Sequence, residues 1–304
     1  MEKKNNWLFD YRNKIKSQFG EDGVITKIFE VIGETNKWCV EFGAGNGEQN
    51  SNSWNLINKD WSAVLIEADK SEFAALEKLY GGNKNVALFC DLVAESGEYS
   101  LDNILKKTKI PKTPDFLSID IDGYDYHVWK SLSEYEPRVV MIECNGTIPP
   151  DIDFVQPKNI DVASGSSFAA MVHLGKEKGY ELVYARAVNA IFVKKELFHL
   201  FGIQNNSILS MLDDFLPKRY FQLFDSSIVL LGENSSRMFR KKKISSAPIW
   251  TLSGGNIVPV KLNFQKKSAR FFKDYLKAAP FYPSLRTLYP RVKSFKKKFW
   301  QDKN

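Results

Sequence analysis

Glycines at positions 43, 45 and 47 close the segment Val40-Glu41-Phe42-Gly43-Ala44-Gly45-Asn46-Gly47, in which an apolar run passes into a loop with little side-chain bulk. Glycine allows a sharp turn and lets the backbone approach a ligand with no Cβ in the way, so a strand ending in such a loop can seat a nucleotide-like cofactor. Glu41, Gly43, Ala44, Gly45 and Gly47 are its candidate contacts. The spacing bears on which cofactor that is. A dinucleotide loop reads Gly-x-Gly-x-x-Gly, and its third glycine lets helix and strand pack closely. Glu48 stands at that third place and would put negative charge where a pyrophosphate rests on a helix N-terminus. S-adenosylmethionine carries no phosphate and has a sulfonium cation, so an acidic loop favours it over a nicotinamide cofactor.

Acidic residues recur where later apolar runs end. Glu67 closes Ala63-Val64-Leu65-Ile66-Glu67, where a carboxylate can accept hydrogen bonds from both ribose hydroxyls. Asp91, just after the run 86–90, is the matching candidate for the adenine amino group. Further on come Asp120, Asp122 and Asp125, then Glu143 and Asn145. Asp120 is a candidate for cofactor binding and for catalysis; Asp120, Glu143 and His127 are the groups placed to act as general base on a poorly acidic hydroxyl. Asp122 and Asn145 are candidate substrate contacts. Asp120, Glu143 and Asn145 could instead hold a hard divalent cation such as Mg2+, which would polarise the acceptor hydroxyl. The plain alternative is that these carboxylates accept backbone amides or cap the helix opening near Tyr124. His173 and His199 have no partner at readable spacing and read as structural.

Such residues need a frame that gathers strand ends. From Trp38 onward, short apolar runs alternate with helical stretches, as parallel strands joined by crossovers do. Strands are expected at 38–42, 63–66, 86–90, 115–119 and 139–143, nearly continuous in apolar residues as strands covered on both faces should be. Helices are expected at 21–32, 71–79, 124–132 and 167–178, the last stopped by Gly179. The β-rich runs 180–184 and 190–194 are close enough to form a hairpin. In an open α/β sheet the ligand lies beyond the carboxyl ends of the strands, where the acidic residues fall.

The basic balance, 43 Lys and Arg against 36 Asp and Glu, is unevenly spread. Residues 1–235 hold 25 basic and 34 acidic side chains and residues 236–304 hold 18 and 2, so a body of −9 is followed by a tail of +16. A boundary near Ser235 separates a body at 1–235 from a basic, aromatic-rich extension at 236–304. In the extension, Val292, Phe295 and Phe299 fall at i, i+3 and i+7 among Lys293, Lys296, Lys297 and Lys298, the spacing of a helix that lies on an anionic membrane. Residues 271–300 are thus expected to make peripheral membrane contact; packing on the body or a second copy, and nucleic-acid binding, are the alternatives. No spanning run and no leader-like start are read, so a cytoplasmic protein, peripheral at the inner face of the membrane, is expected. Cys39, Cys90 and Cys144 match no zinc spacing and are expected as reduced core thiols.

The chain resembles the class I S-adenosylmethionine-dependent methyltransferases, and more closely their FkbM-like group. Besides the glycine loop, the likeness is carried by Ser17-Gln18-Phe19-Gly20-Glu21-Asp22-Gly23, Ser51-Asn52-Ser53, Asp115-Phe116-Leu117-Ser118-Ile119-Asp120-Ile121-Asp122-Gly123-Tyr124-Asp125 and Gly179-Tyr180-Glu181-Leu182-Val183. It implies a Rossmann-like α/β fold, a mostly parallel seven-stranded sheet ending in an antiparallel hairpin, with the basic extension outside it. It implies S-adenosylmethionine as cofactor and, since many of the group are O-methyltransferases, an oxygen acceptor. It also implies a ligand-facing or lid role for Gln18 and Glu21, at the start of a helix that precedes the first strand. The group has an aromatic residue where this chain has His127, so no role passes to His127. The activity expected is methylation of a sugar hydroxyl of a bacterial surface glycan or its precursor, with a glycan or small-molecule acceptor and no nucleic acid; homo-oligomerisation is left open. Two other readings stay open: N-methyl transfer to nucleic acid, and a non-catalytic binding protein that docks to membrane or RNA through its tail.

Overall fold

The computed structural model describes residues 5–121, 123–146, 148–158 and 165–212, and beyond them the backbone of four short strands. Contacts within the chain divide it into two compact units, Met1–Leu216 and Pro217–Asn304. Ser235 and the basic segment 271–300 lie outside the described residues. No helix among the described residues is long and apolar enough to cross a membrane.

In the first unit the elements follow as α1 (Glu21–Ile32), β1 (Trp38–Phe42), α2 (Trp54–Ile57), β2 (Ser62–Ile66), α3 (Lys70–Tyr80), β3 (Val86–Phe89), α4 (Leu101–Lys106), β4 (Phe116–Ile119), α5 (Asp125–Ser131), β5 (Val139–Glu143), α6 (Phe168–Glu177), β6 (Tyr180–Arg186), β7 (Asn189–Lys194) and α7 (Ile208–Met211). Seven strands form one sheet in the order β3-β2-β1-β4-β5-β7-β6. β1 to β5 pair in parallel, and β7 runs antiparallel to both of its neighbours, β5 and β6. The sheet therefore winds outward from β1 through β2 and β3, then restarts at β4 on the other side of β1. That reversal between β1 and β4 is the switch point at which an open α/β sheet leaves a crevice beyond its carboxyl ends.

The strands are buried on both faces, which is why their sequences read as unbroken apolar runs: Val40, Ala63, Val64, Leu65, Phe116, Leu117, Val139 and Val140 are fully buried. Helix starts follow local chemistry. Asp69 caps α3 by accepting from the amides of Ser71 and Glu72, and Ser167 caps α6 by accepting from Ala170 N. In the second unit β8 (Arg219–Gln222) pairs with β9 (Ile228–Leu231) and β10 (Trp250–Ser253) with β11 (Asn256–Pro259), two antiparallel hairpins.

Three details differ from expectation. Asp115 stands just before β4 because its carboxylate is engaged elsewhere: buried at the amino end of the sheet, Oδ2 accepts from the amides of Thr35, Asn36 and Lys37, and Oδ1 pairs with Arg138 at 2.7 Å. Cys90 is exposed and not a core thiol, since β3 stops at Phe89 and the chain turns away, whereas Cys39 and Cys144 are buried. His173 has a partner after all, Asp153 Oδ2 at 2.6 Å from Nδ1, on an exposed face of α6.

Candidate active site

A cavity of about 360 Å3 opens at the carboxyl ends of four strands, lined by Glu41, Gly43, Ala44 and Gln49 to Ser51 at and after β1, Ile66 to Ala68 at β2, Asp91 to Val93 after β3, and Asp120 with Ile121 after β4. That volume lies within the range of small-molecule and cofactor sites.

The three loop glycines do different jobs. Gly43 has φ +72°, and a Cβ there would sit 1.7 Å from the carbonyl oxygen of Asp120, so β1 and β4 can come together at the switch point only if position 43 has no side chain. Gly47, at φ +78°, lies against Leu76 and the Tyr80 ring of α3, and a Cβ would meet Leu76 at 2.4 Å. Gly45, at φ +53°, has nothing within 4 Å of a built Cβ. Of the three it is the one whose missing side chain leaves open space, and its N–H donates to Glu67 Oε2 at 2.7 Å.

The carboxylates sort themselves by what they hold. Glu41, 3% exposed, accepts from Ser51 Oγ at 2.8 Å, Asn52 N at 2.7 Å, Ser53 N at 3.3 Å and the Ser53 hydroxyl, folding the 51–53 turn back over β1. Burial pushes its carboxyl pKa up, and these four donors pull against that shift. Glu67 accepts from Gly45 N with one oxygen and from Asp69 N, at 2.7 Å, with the other, so it fixes the glycine loop while lining the cavity. Asp91 lines the opposite wall beside the exposed Leu92. Asp125 is buried and accepts from Ile121 N and Gly123 N, both at 2.9 Å, which shapes the turn that carries Asp120. Asp122 lies outside the described residues.

Asp120 and Glu143 come together through strand register. Ile119 pairs with Ile142, so the next residue of each strand, Asp120 and Glu143, stands on neighbouring strand ends. Asp120 lines the cavity; Glu143 and Asn145 lie beyond its lining, next to the amino end of β7, where Glu143 faces Asn189 in the ladder. His127 is buried on α5 with Nε2 2.7 Å from the carbonyl of Gln156 and its ring between Tyr124 and Tyr126, so it ties α5 to the stretch after β5. Glu21 is fully buried; it accepts from Phe19 N at 2.7 Å and from Asn189 Nδ2 at 2.8 Å, joining the start of α1 to the β6–β7 turn. Gln18 is partly buried and is not among the cavity-lining residues. Nor is Glu48, whose charge is met by Lys16 in an ion pair, so the loop is less acidic toward a ligand than its residue types suggest. No group of three or more His, Cys, Asp or Glu that could hold a metal ion is found among the described residues.

Sequence reasoning did not single out Gln49, Asn50, Ala68, Leu92 or Val93 as lining residues. The signal for the last two was present, since they follow Asp91, but nothing in residue type marks Gln49 or Asn50.

Residues 94–182, from the β3–α4 loop into β6, match the methyltransferase FkbM domain. That match spans 89 of the chain's 304 residues. No curated protein sequence matches the chain. Among solved structures it is similar to the CMeT domain of the citrinin polyketide synthase, at 10% identity over 58% of this chain and 51% of that one, TM-score 0.41. It is also similar to an S-adenosylmethionine-dependent methyltransferase of Clostridium acetobutylicum, at 9% identity over 56% and 89%, TM-score 0.39. A third, a precorrin-6y C5,15-methyltransferase of Geobacter metallireducens, has 14% identity over 60% and 93%, TM-score 0.36. The chain spans about half the length of the citrinin synthase structure it matches.

The residues present fit the cofactor this family implies. Gly45 leaves the loop floor open, Glu67 and Asp91 offer acceptors from adjacent strand ends, and the apolar Ile66, Val93 and Ile121 give a base somewhere to lie. Glu67 spends one hydrogen bond per oxygen on the loop and keeps lone pairs for ribose hydroxyls.

Proposed function

We propose that the protein is an S-adenosylmethionine-dependent methyltransferase that transfers the methyl group to an oxygen, a sugar hydroxyl of a bacterial surface glycan or of its precursor. The observation that carries this reading is the register that sets Asp120, which lines the cavity, on the strand end next to that of Glu143. Bound S-adenosylmethionine supplies an electrophilic methyl group. A sugar hydroxyl must lose its proton as it takes that methyl, and a carboxylate within reach of the oxygen is the group to accept it. Asp120 lines the donor cavity and positions the donor side, while Glu143, outside that lining, serves the acceptor. Asn145 follows two residues after Glu143 with an amide suited to a second hydroxyl. The remaining contribution is positioning, which for an in-line displacement is the larger part of the rate.

The test is transfer of labelled methyl from S-adenosylmethionine into cell-envelope glycan and into RNA, run side by side. Label should enter the glycan as an ether stable to base, and Glu143→Gln should slow transfer by about a hundredfold or more while donor affinity stays within about twofold. Label in RNA, or full transfer by Glu143→Gln, would remove the reading.

A further inference from the structure

The stretch that precedes α1 does more than lead into the fold. Its root is fixed by a buried carboxylate: Asp22 Oδ2 accepts from the amides of Ile15, Lys16 and Ser17 at 2.8 to 3.0 Å and from Ser17 Oγ at 2.6 Å. Two backbone bonds close the loop, Asn13 N to Gly20 O and Gly23 N to Asn13 O. Gly23 makes this possible, because a Cβ there would lie 2.1 Å from the carbonyl of Tyr11. Lys16 is therefore presented by a braced loop and not by a free arm.

From that loop the Lys16 ammonium reaches two places at once. It pairs with Glu48 Oε1 and lies 5.1 Å from the centroid of the Trp54 ring. Between Glu48 and Trp54 run Gln49, Asn50 and Ser51, all three lining the donor cavity. Asn50 adopts φ +61°, a left-handed conformation in which asparagine is enriched. Ser51 Oγ also accepts from Trp54 N at 3.1 Å, so the ring under Lys16 and the cavity wall move together.

We propose that Lys16 is a positioning residue for the methyl donor: it pins both ends of the 49–51 wall and so slows release of S-adenosylmethionine. The contact is partly exposed, with side-chain exposures of 31% for Lys16 and 52% for Glu48, so its strength is that of a surface ion pair supplemented by a cation–π contact. Together these are worth about a three- to tenfold change in a rate. Because the root of the loop is buried and braced, losing the ammonium loosens the wall, which Asn46 and Glu41 still hold from the other side, without unfolding the segment.

The experiment measures the dissociation rate of S-adenosylmethionine from the full chain by rapid displacement with excess unlabelled donor, alongside thermal melts. Lys16→Met and Glu48→Gln should each speed release about three- to tenfold. The double variant should be no faster than the faster single one, since both break the same contact. Lys16→Arg should restore slow release. The gap between wild type and variants should shrink in high salt, and melting temperatures should stay together. Unchanged release in both single variants overturns the proposal, as does faster release that tracks a lowered melting temperature or that Lys16→Arg fails to rescue.

Discussion

The two ends of the sheet solve one problem with one kind of group and reach opposite results. At the amino end, Asp115 gathers three amides of the α1–β1 turn and neutralises Arg138, which in turn donates to the carbonyls of Gly33 and Ile32. At the carboxyl end, Glu41, Glu67 and Asp125 also gather backbone amides, and what they shape is a cavity. A buried carboxylate with a guanidinium partner closes a structure. Carboxylates given to loop amides and hydroxyls hold loops in place around an opening. The lining of that opening holds Glu41, Glu67, Asp91 and Asp120 and no Lys or Arg, which suits a ligand bearing a sulfonium cation.

The largest effect should come from breaking the closed end. Asp115→Ala leaves Arg138 without its anion and three amides without an acceptor, and should cost about 3–5 kcal/mol in urea unfolding. The cavity lies at the other end of the strands, so the folded fraction should bind S-adenosylmethionine as wild type does. Loss of donor binding in protein that is still folded would mean the two ends are not separable.

A smaller effect, with a distinctive pH dependence, is expected at Glu41. Its folded-state pKa is raised by burial, so the folded protein holds this proton more tightly than the unfolded chain does. That contribution favours folding at low pH and is lost as the pH rises from the ordinary carboxylate range through the raised folded pKa. Glu41→Gln cannot titrate and also has one acceptor oxygen in place of two. Wild type should exceed it in stability most at low pH, with the difference narrowing toward neutrality in denaturant melts. A constant difference across that range would show that Glu41 titrates in the folded state as it does in the unfolded chain.

The same contrast explains what could be read from sequence. The strands were legible because burial on both faces leaves apolar runs such as Val139-Val140-Met141-Ile142 with nothing polar to confuse them. The acidic strand ends were legible for the same reason, as the first polar residue after each run. Which of those carboxylates faces a ligand and which holds a loop was not legible. Glu41 and Glu67 are alike in type and setting, yet Glu41 gives both oxygens to the 51–53 turn while Glu67 spends one bond per oxygen at the cavity. Such roles depend on where a loop ten or twenty residues away returns, and no local spacing encodes that. Asp115 and Asp125 show the same limit within one motif: one stands just before β4 and the other opens α5, and both accept from backbone amides away from the cavity lining. Gly43 was read as room for a ligand, and the room it makes is for the carbonyl of Asp120.

That close approach supplies the most direct test of the account, a calorimetric titration of S-adenosylmethionine into wild type and into Gly43→Ala, with thermal melts of both. A methyl group at position 43 must displace the Asp120 carbonyl, and φ +72° is strained for alanine, so the β1–β4 crevice should open out of shape. Wild type should bind one donor per chain, and the variant should bind about a hundredfold more weakly or not at all, even where melts show it folded. Equal affinity in the two proteins, or no binding by wild type, would contradict the placement of the donor at this end of the sheet.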